Sequence, residues 1–466
     1  LLWIGSARAE EPPASTSPKD EPPAEPVSRE AATEMPPSAN AGTPGADAEL
    51  RAELARQAAA IAALEKREAN RASAEQTRAE ALRFSGYLQV DFIAYDQASV
   101  DEVNASTRAP LNQKRFTLRR GHVRLDAEHG LLTGAFELDA NTTNGPQVRP
   151  IEADISLRSA ERVDPKRPHV TLTVGLFKIP FGFEVQELDV DRPFLERSTV
   201  ARALFPGEFD LGARAWLRYR FLDAKLAIMN GHPLGDRSFP ALDPSSAKDF
   251  VGRLGVTTEV VPRVALDFGV SAERGMGFHE GTPSTKDQLT WRDDNGDGIV
   301  QATEIQVIPG SSATRSELFR RFGLGADAQV TLRWAKDWAL CLRAEVMRAQ
   351  NLDRGVEPAD PIGAGYDLRE WGYYIGATQE LTRYGLIGLR YDRYNPDADA
   401  HEQQPLEVVP RDRSYSTLAL LGMLRYQTAR LSVEYDRNGN ALGRDASGKP
   451  TTLASDTVTV RTQLRF

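Results

Sequence analysis

From residue 84 onward, apolar and polar residues alternate in short stretches separated by turn residues. In 263–270, Val264, Leu266, Phe268 and Val270 oppose Arg263, Asp267 and Gly269. In 430–436, Leu431, Val433 and Tyr435 oppose Arg430, Glu434 and Asp436; in 149–158, Ile151, Ala153, Ile155 and Leu157 oppose Glu152, Asp154 and Arg158. A period of two belongs to β-strands, whose successive side chains point to opposite faces. The pattern predicts about sixteen strands, near 84–95, 114–126, 131–141, 149–158, 168–177, 211–221, 224–231, 248–260, 263–274, 318–333, 338–350, 367–381, 384–394, 413–427, 430–437 and 455–466. The last places Val458, Val460, Leu464 and Phe466 on one face, and Thr459, Arg461, Gln463 and Arg465 on the other. In 114–126 the phase slips: Phe116 and Leu118 share a face with His122 and Arg124, while Val123 and Leu125 take the opposite one. A bulge and an upper half outside the membrane both fit that slip.

Connection lengths distinguish a sandwich from a barrel. Short connections at Leu222-Asp223, Val261-Pro262, Thr382-Arg383 and Thr428-Ala429 alternate with long ones at 177–210, 232–247, 275–317, 351–366, 395–412 and 438–454. Tight turns at one rim and long loops at the other are the build of an all-β transmembrane barrel, here of about 16 antiparallel strands in a lipid bilayer. Tyr95, Trp338, Trp371, Tyr384, Tyr394 and Tyr426, at strand ends, suit interfacial girdles. A barrel of this size is expected to enclose a water-filled lumen rather than a side-chain core.

Composition narrows the reading further. The chain has 466 residues with 41% hydrophobic, and a mean hydropathy of −0.43; that argues against helical spans but leaves a barrel open, since only every second residue is apolar. The net charge of −9 argues against nucleic-acid binding. Residues 1–9, ending in Ala7-Arg8-Ala9, read as a signal-peptide remnant. Residues 10–45, rich in Pro and Glu, read as a disordered linker. Residues 46–83 read as a short periplasmic coiled-coil helix, with Leu50, Leu54, Gln57, Ile61 and Leu64 as its seam. Residues 84–466 are expected to form the barrel. The six histidines form no paired motif, and no nucleophile has a base visible beside it, so an enzyme is not expected.

The stretch Val174-Gly175-Leu176-Phe177-Lys178-Ile179-Pro180-Phe181-Gly182-Phe183-Glu184, then Phe194-Leu195-Glu196-Arg197-Ser198 and Phe205-Pro206-Gly207, resembles the phosphate-selective porin O/P family. Arg119-Arg120-Gly121-His122-Val123-Arg124-Leu125 is similar to that family's early arginine strand. The resemblance implies a trimeric sixteen-strand outer-membrane channel that passes phosphate or other small anions. Its specific motif is confined to about 115–221.

The residues themselves point partly the same way. Segment 177–210, the third long loop, is expected to fold inward and narrow the lumen. It carries Lys178, Arg192, Arg197 and Arg202 among seven acids. The following strand is expected to set Arg214, Arg218 and Arg220 on one face as a cationic ladder, guanidinium forks being matched to oxyanions. Lys178, Arg197, Arg214, Arg218 and Arg220 are the candidate anion path. Asp91, Glu137, Asp139, Glu152, Asp154, Asp267 and Asp392 are expected to face the lumen as well. Ordinary wetting of a general porin, passing cations or carbohydrates, would also use arginines facing acids. A structural barrel tethered through the N-terminal helix is a third reading.

One motif stands apart. Asp293-Asp294-Asn295-Gly296-Asp297-Gly298-Ile299-Val300-Gln301-Ala302-Thr303-Glu304 fits D-x-[DN]-x-[DN]-G-x₅-E throughout. Asp293, Asn295, Asp297, the carbonyl of Ile299 and Glu304 are the expected Ca²⁺ ligands, with Gly298 at the sharp turn. A structural Ca²⁺ site stiffening loop 275–317 is the expectation.

Overall fold

The computed structural model describes residues 52–53, 55–57, 59–68, 82–97, 106–107, 114–159, 169–237, 243–335, 338–403, 408–445 and 449–466. The signal remnant and linker expectations lie outside these residues, as do Leu50 and Leu54 of the expected seam. Residues 59–68 are helical, and Ile61 and Leu64 are exposed.

Sixteen strands form one closed barrel. The first nine are β1 (Leu82–Gln97), β2 (Lys114–His129), β3 (Leu132–Asn141), β4 (Gln147–Arg158), β5 (Val170–Lys178), β6 (Phe209–Tyr219), β7 (Leu222–Met229), β8 (Asp249–Val261) and β9 (Val264–His279). Ribbon β10 (Gln288–Trp291) with β11 (Ile305–Ile308) stands in the next loop. The barrel continues with β12 (Glu317–Ala335), β13 (Trp338–Gln350), β14 (Arg369–Glu380) and β15 (Gly385–Asn395). A second ribbon, β16 (His401–Gln403) with β17 (Val408–Pro410), precedes β18 (Tyr415–Tyr426) and β19 (Ala429–Gly439). A third, β20 (Gly443–Arg444) with β21 (Pro450–Thr451), precedes β22 (Ser455–Arg465). Every predicted strand is present, with ends moved by a few residues.

The barrel closes by antiparallel pairing of β22 with β1, from Tyr87 opposite Arg465 to Gln97 opposite Ser455. Gly86 and Phe466 exchange both backbone hydrogen bonds, each 3.0 Å. Large apolar side chains such as Phe116, Val174, Leu226, Ile375 and Leu424 stand exposed on the outer face, whereas Asp91, Glu345, Asp392 and Arg461 are buried inside. This inverts a water-soluble protein and suits a surface solvated by hydrocarbon.

The slip of phase in β2 is a bulge. Gln89 pairs with Arg120 and Val90 with Leu118, leaving Arg119 as the extra residue. An extra residue re-aims the strand. Here it lets the neighbours Arg119 and Arg120 both reach into the lumen, where each contacts Glu196.

The lumen departs from the expectation of a space without a core. Phe177, Ile179, Phe181, Val185, Val200, Leu204 and Phe205 pack with Met229 of β7, Val251 of β8 and Met347 of β13, together with Leu352 and Tyr394. A second cluster joins Phe194 to Leu386, Ala419, Leu421 and Met423. These inward apolar positions break the alternation because a loop, rather than water, covers them. The run Leu418-Ala419-Leu420-Leu421 in β18 is apolar on both faces for that reason.

Candidate functional site: a loop clamped across the lumen

The loop between β5 and β6 enters the barrel at Ile179-Pro180-Phe181-Gly182. Gly182 has φ +58°, and a Cβ there would lie 1.9 Å from Glu345 Oε1. Only glycine permits both the left-handed turn and that approach. Glu345 of β13 accepts the N–H groups of Phe183 (3.1 Å) and Glu184 (3.2 Å). Farther along, Arg430 and Gln463 donate to Val190 O at 2.6 and 3.1 Å, and Leu195 N donates to Glu434 Oε2 at 3.0 Å. Arg461 donates to Leu195 O at 2.7 Å, and Arg390 to Glu196 O at 2.7 Å. The loop is thus held by strands from several sides of the barrel, through its backbone as well as its side chains.

A short helix, Thr199–Leu204, forms part of the loop, capped by Ser198. Glu184 in turn accepts from Ser198 N (2.9 Å) and Ser198 Oγ (2.6 Å). Arg197 closes the other end, donating to the carbonyls of Ala201 (3.3 Å), Phe205 (2.6 Å) and Pro206 (2.9 Å) while its Nε lies 2.7 Å from Glu208. A guanidinium on the last carbonyls satisfies acceptors that the helix leaves open and opposes its dipole. Lys178 lies 2.7 Å from Glu208 and 2.6 Å from Glu187 O. Lys178 and Arg197, both expected on the anion path, therefore spend their charge inside the loop.

The loop acids meet arginines of the wall. Glu196 is gripped by Arg119 through two 2.8 Å bonds, by Arg120 at 3.3 Å and by Arg461 at 2.9 Å. Asp189 lies 3.0 Å from Arg120 and 2.7 Å from Arg192, and Glu187 lies 2.7 Å from Arg343. Burial alone would raise the Glu196 and Asp189 carboxyls, but the guanidiniums around them prevail and hold both well below the usual carboxylate range.

The wall leaves two recesses, the first toward the turn end of β1–β6 and the second beside this loop. One, of about 330 Å³, is bounded by Arg83, Arg124, Arg158, Arg214 and Arg218 against Asp126, Glu128, Glu152 and Asp154, with Trp216 among them. The other, of about 260 Å³, holds Lys225 and Arg253 with Glu187, Asp223 and Asp267. Arg214 and Arg218 face inward as expected. Arg214 lies over the Phe177 ring at 4.7 Å and has no ion-pair partner among the described residues. Arg218 and Lys225 lie against Trp216 at 4.1 and 4.5 Å, and the indole donates to Asp223 Oδ2 at 2.5 Å. Arg220 does not join them: it sits in the β6–β7 turn with φ +54°, beside the Tyr219 ring, so the ladder has two arginines rather than three. The strand ends at Tyr219, one residue too soon for Arg220 to keep the alternation.

The site residues that sequence reasoning did not assign are Arg119, Arg120, Arg390 and Arg461. The slip of phase in 114–126 was the signal for the first two. A second inward loop was also missed: Arg354 N donates to Ala203 O at 2.9 Å, and the Arg354 side chain lies between Glu273 and Asp249. Among the expected lumenal acids, Asp91, Asp139 and Asp392 are buried inward and Glu137 is half-buried, in keeping with their alternation; Asp91 pairs with Arg461 at 2.7 Å and Glu137 with His122 at 2.6 Å.

The acidic motif lies in a turn carried by the β10–β11 ribbon. Asp293 accepts from the N–H groups of Gly296 (2.6 Å) and Gly298 (2.8 Å), Asn295 from Asp297 (2.9 Å), and Asp297 from Ile299 (2.8 Å). Glu304 accepts from Asp294 and Gln301, both at 3.2 Å. Gly296 and Gly298 adopt φ +74° and +75°. Among the described residues, no three His, Cys, Asp or Glu side chains converge to hold a metal.

No protein-family model matches the chain, and no curated protein matches it. Solved structures are similar to this chain. The outer membrane channel DcaP of Acinetobacter baumannii aligns with 83% of this chain and 97% of its own, at 11% identity and a TM-score of 0.50. The Pseudomonas putida protein OprB aligns with 83% of this chain and 94% of its own, at 12% identity and a TM-score of 0.48. An anion-selective porin from Comamonas acidovorans aligns with 83% and 99%, at 10% identity and a TM-score of 0.45.

Proposed function

We propose that this chain is an outer-membrane porin, a homotrimer through which small anions diffuse passively, phosphate among them. The observation that carries the reading is the arrangement inside the barrel. A loop is fastened across the lumen, and toward the turn end of β1–β6 the wall holds a polar recess with five arginines against four carboxylates, where Arg214 has no ion pair among the described residues. A fixed guanidinium beside a narrowed passage raises the local concentration of anions and disfavours cations. The sequence resemblance to the phosphate-selective porin O/P family and the shared barrel support the same reading. In this scheme Arg214 and Arg218 meet the solute, and Lys178 and Arg197 keep the loop in place.

Single-channel recording in planar bilayers tests it. In a potassium chloride gradient the reversal potential is expected to have the sign of anion flow, with added phosphate reducing the chloride current. Changing Arg214→Glu with Arg218→Glu should move the reversal potential toward cations, while Arg220→Gln should leave it in place. An unselective or cation-selective wild type without phosphate block would make this a general porin. No current at all would favour a tethered structural barrel.

The acidic turn is proposed to take Ca²⁺ through Asp293, Asn295, Asp297, the Ile299 carbonyl and Glu304, exchanging backbone N–H groups for the ion. The complete motif supports this; the role would be to stiffen the 280–316 loop.

A further inference from the structure

The outer faces of β9, β12 and β13 carry apolar residues except near the loop end, where each strand presents one arginine. These are Arg274, Arg320 and Arg348, all exposed. The buried acids of the same strands, Glu273, Asp327 and Glu345, lie on the opposite, lumenal face. None of the three arginine side chains has a hydrogen-bond or ion-pair partner among the described residues. Their positions are ordered by register. Arg274 lies opposite Phe322, with Phe250 on its other side. Arg348 lies opposite Leu324, with Trp371 on its other side. Arg320 is two residues from Phe322 and so diagonal to Arg274, a spacing of about 7–8 Å that long side chains bridge. The three thus surround Phe322 within a belt of Phe250, Phe322 and Trp371. Counting from Trp338, at the turn end of β13, Arg348 lies ten residues up the strand, about the length a tilted strand needs to cross a bilayer.

An unpaired guanidinium on a lipid-facing surface is tolerated where anionic head groups reach it, and its planar fork suits phosphate oxygens. We propose that Arg274, Arg320 and Arg348 form a site for the phosphorylated head group of a lipid in the loop-side leaflet, Arg274 and Arg320 sharing one phosphate and Arg348 meeting a second. The aromatic belt packs beside the upper acyl carbons. This rests on the reading that the barrel lies in an outer membrane with its loops outward, but it does not depend on which solute passes.

The test uses the full chain refolded in neutral detergent and native mass spectrometry with three probes: diphosphoryl lipid A, the same lipid with its phosphates removed, and inorganic phosphate. Diphosphoryl lipid A should remain bound at concentrations at least tenfold lower than the dephosphorylated lipid. The variant Arg274→Gln, Arg320→Gln, Arg348→Gln should lose that preference while keeping wild-type conductance and heat-modifiable gel migration, which report an intact barrel. Each single Arg→Lys change, retaining charge, should keep part of the preference. Equal retention of both lipids, or unchanged retention by the triple variant, would overturn the site. Full displacement of lipid A by millimolar inorganic phosphate would overturn the lipid assignment. Loss of the oligomer in the triple variant with lipid preference intact would instead make the arginines a contact between copies. Conductance is read on the same samples, so failure of the porin reading would be visible separately.

Discussion

Glu196 holds three guanidinium groups at once, from Arg119, Arg120 and Arg461, and a single carboxylate so placed locks loop and wall together. Its replacement by Gln leaves the shape but releases positive charge toward the lumen. Glu196→Gln should therefore raise anion selectivity and add open-channel noise in bilayer recordings; unchanged selectivity would mean that these arginines do not face the permeating ions. The pH response follows from the same group. Glu196 and Asp189 have their folded values depressed below the ordinary 4.5 and 3.8, so their contribution is complete above those values and is lost only as pH falls through the depressed ones. The clamp around Glu196 should therefore hold from pH 7 to about 4.5 and loosen only in stronger acid, measured as the onset of open-channel noise against pH. At this scale the sequence was a partial guide. Arg214 and Arg218 face the lumen as alternation required, whereas Arg197 and Lys178 answer to Glu208, a partner that spacing alone does not reveal.

The loop between β5 and β6 is the element on which the proposed function turns, and it is stabilised by a core of its own. Phe181 is fully buried against Phe205, with ring centroids 4.7 Å apart. Phe181→Ala should cost about 3–5 kcal/mol of local stability and enlarge the single-channel conductance, with the heat-modifiable barrel intact. An unchanged conductance would place the narrowing elsewhere, for example at the second inward loop around Arg354. The acidic turn between β10 and β11 permits its own check. Calorimetric titration with calcium should give a binding isotherm by millimolar concentration that Glu304→Gln abolishes; absence of heat at that concentration would leave a turn held by its own N–H groups. The inward fold of the first loop was legible from its place and charge. The second was not, since Leu352-Asp353-Arg354 carries no pattern to separate it from an ordinary exterior loop.

For the whole molecule, closure needs only residues from 82 onward, because β22 returns to pair with β1. A chain lacking residues 10–81 should still refold into a heat-modifiable barrel with wild-type conductance, read by gel shift and bilayer recording. Failure to refold would assign the N-terminal helix a part in barrel assembly. Native mass spectrometry of the full chain should give three copies.

What the sequence determined by itself was the strand count, the alternation of short turns with long loops and, where the alternation runs unbroken by a bulge, the face a strand turns outward. Those features are local: a two-residue period and a turn length are written in neighbouring positions. The tertiary structure decided what lies inside. Whether an inward side chain meets water, an apolar loop or an opposite charge depends on residues hundreds of positions away, as Leu195 with Arg461 and Phe183 with Glu345 show. Inward Met347 and Leu421 therefore read as breaks in a pattern until the loop that covers them is in place.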